Sequence, residues 1–172
     1  MKHNLITLTI DHKTVEVPEG TTILAAAKSV GISIPTLCYL NLSDFGCVNT
    51  PSSCRMCLVE VEGRRNLAPA CVTPAADKMT VSTNSVRALK TRKTMLELLL
   101  SDHPKDCLTC QKSGNCELQN LADKFSIRDI KLKGEQSTYR LDISKSLIRD
   151  MDKCIMCRRC ETMCNEVQTV GV

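Results

Sequence analysis

The sequence predicts a small α+β protein. Residues 5 to 17 alternate apolar and polar in strand fashion, helical stretches begin near Thr22 and Ser85, and twelve cysteines fall in three groups along 172 residues. With two Phe, two Tyr and no Trp, the core must be built from Val, Ile, Leu and Ala. A small chain of that kind usually needs staples, and the cysteines supply candidates for them.

The elements follow in order. Leu5, Thr7 and Thr9 alternate with Ile6, Leu8 and Ile10. Asp11, His12 and Lys13 make a turn, and Val15 and Val17 resume the alternation, which predicts a β-hairpin. Pro18-Glu19-Gly20 stops it. Thr21 or Thr22 caps a helix to about Val30, with Gly31 as the residue past its end. A cysteine-rich loop runs from Cys38 to Cys57. Residues 58–61 and 67–70 read as strands joined by a turn at 62–65. Asn84 or Ser85 caps a longer helix to about Leu100, basic at Arg87, Lys90, Arg92 and Lys93 and then apolar. That basic face is expected to be solvated. Ser101-Asp102-His103-Pro104 ends the helix, because proline cannot continue it. A second cysteine group follows, then a short helix from about Glu117 to Lys124. Residues 126–145 are polar and weakly patterned, a connector or short strands, and a third cysteine group runs from Cys154 to Cys164.

Composition excludes several classes. The first residues, MKHNLITLTIDHK, lack the apolar run and cleavage site of a signal peptide. No stretch of about 18 apolar residues occurs, so no membrane span is expected. Together these predict a cytoplasmic protein, where thiols stay reduced and clustered cysteine points to metal rather than to disulfides. The net charge is +4, with basic and acidic residues interspersed, which argues against a nucleic-acid partner. No GxGxxG or GxxxxGK occurs, so no dinucleotide or NTP site is recognisable.

The first ligand set is Cys38-x15-Cys54-x2-Cys57-x13-Cys71. A CxxC pair chelates one metal around a tight turn, and a binuclear iron cluster takes two further thiolates from more distant positions. A tetrahedral zinc site is the alternative, although zinc folds more often pair two CxxC knuckles. The segments PTLC and SSCRMCLVEVEG carry a resemblance. Residues 1–80 resemble the plant-type ferredoxin domain at the front of complex I large subunits and [FeFe]-hydrogenases. The resemblance implies a β-grasp fold holding one [2Fe–2S] cluster. The loop between Cys38 and Cys54 is longer than the family's and contains Cys47, which reads as a bystander beside the PTLC and CRMC segments.

The second set is His103-x3-Cys107-x2-Cys110-x5-Cys116. Three thiolates and one imidazole give the four ligands of a [4Fe–4S] cubane, and a neutral imidazole leaves the site less anionic than a fourth thiolate would. A histidine at a helix end also interacts favourably with the helix dipole, which is the alternative for His103. SDHPKDCLTC and GNCELQ resemble the His-ligated [4Fe–4S] motif of the same two families.

The third set is Cys154-x2-Cys157-x2-Cys160-x3-Cys164, the cysteine run of bacterial ferredoxins, with Asn165 where their proline would stand. KCIMCRRCETMCNEVQTVGV resembles [FeFe]-hydrogenases more than complex I. By that resemblance Cys154, Cys157 and Cys160 hold one [4Fe–4S] cluster and Cys164 serves the next. The count of eleven cysteines and one histidine would instead let Cys164 close the same cluster. Arg158 and Arg159 are expected either to be solvated, to face a partner's carboxylates, or to raise the cluster's potential. His3 and His12 read as surface residues.

Taken whole, the sequence resembles the N-terminal electron-input segment of a multi-subunit, NAD(P)-linked [FeFe]-hydrogenase, some members of which bifurcate electrons between NAD and ferredoxin. The resemblance implies a plant-type domain over 1–80, a small helical domain with one His and three Cys ligands over 81–125, a connector over 126–145, and the first half of a bacterial-type ferredoxin domain over 146–172. It implies one [2Fe–2S] and one or two [4Fe–4S] clusters here, and further [4Fe–4S] clusters and an H-cluster in a longer protein. The implied partners are a flavin- and NAD(P)H-binding subunit carrying FMN, a small [2Fe–2S] subunit, and ferredoxin. A front end of an NADH:quinone oxidoreductase or formate dehydrogenase, and a stand-alone ferredoxin-like carrier, are the alternatives. A zinc-stapled interaction module comes last.

Overall fold

The structure, a computed structural model, describes residues 4–47, 49, 52–134, 139 and 141–171, so His3 lies outside the described residues. The chain divides into two compact units, residues 1–92 with 158–172, and residues 93–157.

The first unit is built on the predicted hairpin. Strands β1 (Leu5–Ile10) and β2 (Lys13–Pro18) pair antiparallel, with Leu8 opposite Val15. Alternation buries Leu8, Ile10, Val15 and Val17 and leaves the intervening residues facing outward. The two-residue turn puts Asp11 at φ 44° and His12 at φ 68°, the left-handed pair that a tight hairpin demands. Neither residue is glycine. Asp11 is secured by its carboxylate, which accepts the Thr83 backbone N–H at 2.7 Å and the Thr83 hydroxyl. His12 is exposed, as expected.

Helix α1 (Ile23–Ser29) starts where Thr22 accepts the Ala25 N–H at 3.3 Å and ends at Val30, with Gly31 at φ 75° past it. It buries Ile23, Leu24, Ala26 and Ala27 in the same core as the strands. Strand β3 (Leu58–Val61) pairs with β4, which is only Ala68–Pro69, shorter than the expected 67–70. The expected elements omit a fifth strand, β5 (Thr80–Ser82). It runs parallel to β1 and antiparallel to β3, and it joins the two hairpins into one sheet of order β2-β1-β5-β3-β4. Three residues are too short a run for alternation to reveal, and the pairing is wholly tertiary. Residues 158–171 add a short helix α2 (Arg159–Thr162) continued by a π-helical turn over Met163–Val167.

A long helix α3 (Val86–Ser101) crosses from the first unit's sequence into the second's, and Ser85 accepts the Ala88 N–H at its start. One expectation fails here. Arg92 is 1% exposed, on the buried face with Ala88 and Leu96, four residues away on either side. Arg87, Lys90 and Lys93 are exposed as expected. The second unit continues with α4 (Glu117–Lys124), where expected, and with a small hairpin of β6 (Asp142–Ile143) and β7 (Ile148–Arg149). Among the described residues no helix is long and apolar enough to cross a membrane.

Ile10 is fully buried where β1 meets both β2 and β5. The Ile10→Ala variant is expected to lose about 2–5 kcal/mol of stability, read from the urea midpoint of the iron-loaded chain.

Candidate metal centres

The first ligand set lies inside the first unit, and the sheet puts it there. Cys57 immediately precedes β3, and its carbonyl accepts the Ala70 N–H at 3.1 Å, extending the β3–β4 ladder up to Cys71. The first N–H groups of α1 hold the other side of that loop: Ile23 donates to Thr73 O and Leu24 to Ala70 O, each at 2.9 Å. Cys57 and Cys71 therefore face each other, with their sulfurs 3.3 Å apart. Cys38, Cys57 and Cys71 are 1% exposed and Cys54 is 8% exposed.

The four thiols act on one another as two pairs. The Cys54 thiol, with backbone and side-chain hydrogen bonds from Ser53, pulls the Cys38 thiol down to about 5 against burial. Cys38 in turn, and burial after it, push Cys54 up. In the second pair, the Cys57 thiol holds Cys71 below its ordinary range, while Cys71 and then burial push Cys57 up. Each pair is poised to keep one proton between two sulfurs, and a metal cation replaces that proton. The loop supports anionic sulfur as well. Arg55 turns through φ 57°, and the Met56 backbone N–H donates to the Cys54 sulfur.

The second set lies in the second unit. A cavity of about 280 Å³ is lined by His103, Cys107 and Cys116 together with Leu100, Pro104 and Leu118. Cys107 and Cys110 sit on a turn closed by Cys110 N–H to Cys107 O, and Cys116 stands at the start of α4. His103 Nδ1 is buried and has no hydrogen-bond partner. Burial lowers the His103 pKa, opposed by Asp106, so the ring is held neutral with a lone pair free to ligate. Gly134 packs on the backbone next to this histidine. A Cβ there would stand 2.7 Å from the Ser101 carbonyl carbon and oxygen and 2.8 Å from Asp102 N. Nothing in the local sequence reveals this approach.

The third set straddles the two units in sequence. Cys154 and Cys157 are in the second, where the Met156 N–H donates to the Cys154 sulfur at 3.4 Å. Met156 has φ 52°, so this turn, like the one at Cys54, directs a backbone N–H at the first cysteine of a CxxC. Cys160 lies on α2 and Cys164 on the π-helical turn, in the first unit. Arg158 is bound by Glu161 through two hydrogen bonds, of 2.7 and 2.5 Å, and Arg159 donates to Tyr39 O at 3.2 Å. The Cys47 sulfur lies 3.2 Å from Glu166 O and 3.4 Å from Phe45 O.

All twelve cysteines are free thiols. Among the described residues no three His, Cys, Asp or Glu side chains group around a single ion position. Iron–sulfur clusters do not require one, since a binuclear cluster takes two thiolates per iron and a cubane one ligand per iron. Two facing thiol pairs fit the first need. A cavity edged by cysteines and an orphaned imidazole nitrogen fits the second.

Comparison with known proteins gives the class. Residues 3–86 match the 2Fe-2S iron-sulfur cluster binding domain, and residues 92–131 match the NADH-ubiquinone oxidoreductase-G iron-sulfur binding region. The chain is an iron–sulfur protein with [2Fe–2S] and [4Fe–4S] binding domains. It is 66% identical over 170 residues to the NADP-reducing hydrogenase subunit HndD of Solidesulfovibrio fructosivorans, covering 98% of this chain and 29% of that protein. It is 42% identical over 166 residues to the G 2 subunit of the NADH-quinone oxidoreductase of Rhizobium meliloti (strain 1021), covering 95% of this chain and 19% of that protein. A crystal structure of an NAD+-reducing [NiFe]-hydrogenase in the H2-reduced state superposes with a TM-score of 0.82 at 32% identity, over 92% of this chain and 65% of that one. These matches place the chain with the iron–sulfur regions of hydrogenase and NADH-quinone oxidoreductase G-type subunits. The chain spans less than a third of the length of the two curated relatives.

Gly134→Ala is expected to destabilise the second unit by about 1–3 kcal/mol, because the added methyl meets backbone that cannot rotate away. Thermal unfolding measures the loss, and hydrogen exchange of the amides at 101–103 locates it.

Proposed function

We propose that this chain is the electron-input segment of an NAD(P)-linked [FeFe]-hydrogenase that interconverts H2 and protons. The observation that supports it most is the 66% identity to an NADP-reducing hydrogenase subunit along nearly the whole chain. The [FeFe] type rests on the resemblance carried by residues 153–172.

In this reading a β-grasp domain over 1–80 holds a [2Fe–2S] cluster through Cys38, Cys54, Cys57 and Cys71. A helical domain over 81–125 holds a [4Fe–4S] cluster through His103, Cys107, Cys110 and Cys116. After the connector over 126–145, residues 146–172 begin a bacterial-type ferredoxin domain. Cys154, Cys157 and Cys160 hold a further [4Fe–4S] cluster there, and Cys164 serves that cluster or the next. When bound, such clusters accept and pass on single electrons.

The chain's own residues create the conditions for this. The apolar core around Cys57 and Cys71 excludes water. The backbone N–H groups of Met56 and Met156 donate to the Cys54 and Cys154 sulfurs. His103 offers a neutral ligand where burial disfavours charge. No nucleophile, acid or base for bond chemistry is needed in this stretch. The whole enzyme's H-cluster, further [4Fe–4S] clusters, a flavin- and NAD(P)H-binding subunit with FMN, a small [2Fe–2S] subunit and ferredoxin complete the proposed route. Twelve free thiols support a reducing, cytoplasmic setting.

The 42% identity to an NADH-quinone oxidoreductase subunit supports a second reading, the front end of such a subunit or of a formate dehydrogenase. The flanking gene sequence separates the two, as an H-cluster domain against a molybdopterin-type domain.

EPR of the dithionite-reduced, iron-loaded chain tests the ligand assignment. Cys57→Ser is expected to remove or reshape the [2Fe–2S] signal while leaving the [4Fe–4S] signals. His103→Ala is expected to change one [4Fe–4S] signal and leave the [2Fe–2S] signal. Both signals unchanged in both variants would contradict the assignment. In the full-length enzyme, Cys57→Ser is expected to slow NAD(P)-linked H2 turnover at least tenfold while sparing H2 evolution from a strong artificial donor.

A further inference from the structure

Arg92 has no role in the reading above. It is 1% exposed, and it is the largest fully buried side chain in the protein's described residues. Its Nε and Nη2 donate to a single acceptor, the Leu58 carbonyl, at 3.0 and 2.6 Å. Leu58 follows Cys57 directly, so the guanidinium is fastened to the peptide beside the Cys57–Cys71 thiol pair.

A guanidinium stays charged in proteins, and burying an unpaired ion is costly enough that such groups normally carry a partner. Among the described residues no carboxylate lies within 4 Å of Arg92. The charges that favour its protonated form are Cys57 first and Asp11 second, against burial. Asp11 is already engaged by the Thr83 N–H and hydroxyl. What remains is the sulfur site itself, which becomes a concentrated anion when four thiolates bind two irons and two sulfides.

We propose that Arg92 is the built-in counter-ion of the [2Fe–2S] centre and sets its reduction potential. It is a positioning residue that acts through charge, without ligating iron. One-electron reduction adds a negative charge beside a fixed positive one, and the guanidinium neither gains nor loses a proton. Removing the cation therefore disfavours the reduced form. The inference rests on assigning Cys38, Cys54, Cys57 and Cys71 to a [2Fe–2S] cluster.

The test is an EPR-monitored redox titration of the [2Fe–2S] signal in the iron-loaded chain, with dithionite as electron source, for wild type, Arg92→Gln and Arg92→Lys. Glutamine keeps a donor for the Leu58 carbonyl and removes the charge, whereas lysine keeps the charge and loses the fork. Arg92→Gln is expected to lower the ratio of reduced to oxidised cluster at a given potential about tenfold, a shift of about 59 mV to lower potential, with Arg92→Lys close to wild type. An unmoved midpoint in Arg92→Gln overturns the proposal. Equal shifts in both variants also overturn it, because geometry rather than charge would then be responsible. If Arg92→Gln does not fold, Arg92→Leu, which fills the buried site without charge, is titrated instead. A shift to lower potential of the same size supports the proposal, and an unmoved midpoint overturns it. Absence of any [2Fe–2S] signal in the wild-type chain would instead defeat the cluster assignment beneath it.

Discussion

Four buried cysteine thiols arranged as two pairs, one of them inside the apolar core, are the constraint on which the first unit depends. Sulfur packs well in a core as a neutral thiol, but these four do not behave as independent neutral groups. Each pair holds one thiol down and the other up, so the site retains protons only until a cation displaces them. The surrounding fold serves to bring those pairs together. The β3–β4 ladder aligns Cys57 with Cys71, and the start of α1 grips the loop that carries Cys71.

The second unit meets the same need by other means. It has little apolar burial to offer, since Cys107 is exposed and Cys110 and Cys116 are only half-buried. In the proposed assignment ligand chemistry compensates: a neutral imidazole in place of a fourth thiolate lessens the charge to be accommodated, and His103 Nδ1 is buried without a hydrogen-bond partner. In that assignment, two cluster sites with different burial and different ligand charge would give a single chain two different places to set a potential.

Much of this was legible in the sequence because ligand spacing is a local property. CxxC, the histidine before the second cysteine group, and the hairpin's alternation each declare themselves within a few residues, and the structure buries Cys38, Cys54, Cys57 and Cys71 as two pairs of thiols. The parts that were not legible are tertiary. β5 is three residues long and exists only because β1 and β3 flank it. Gly134 matters for a backbone approach across more than thirty residues. Arg92 reads from the sequence as solvated because a cation on a basic helix normally faces water. The signal that would have found it is Ala88 and Leu96, apolar at four residues on either side, which mark the buried stripe on which it lies.

The central claim is that this chain binds iron and sulfide in clusters, and anaerobic analysis of iron and acid-labile sulfide in the purified chain tests it most directly. The account predicts at least about six iron and six sulfide per chain, for one [2Fe–2S] and one [4Fe–4S] cluster, rising to about ten of each when the Cys154–Cys164 set is also filled. Zinc bound in place of iron, with no sulfide, would contradict it.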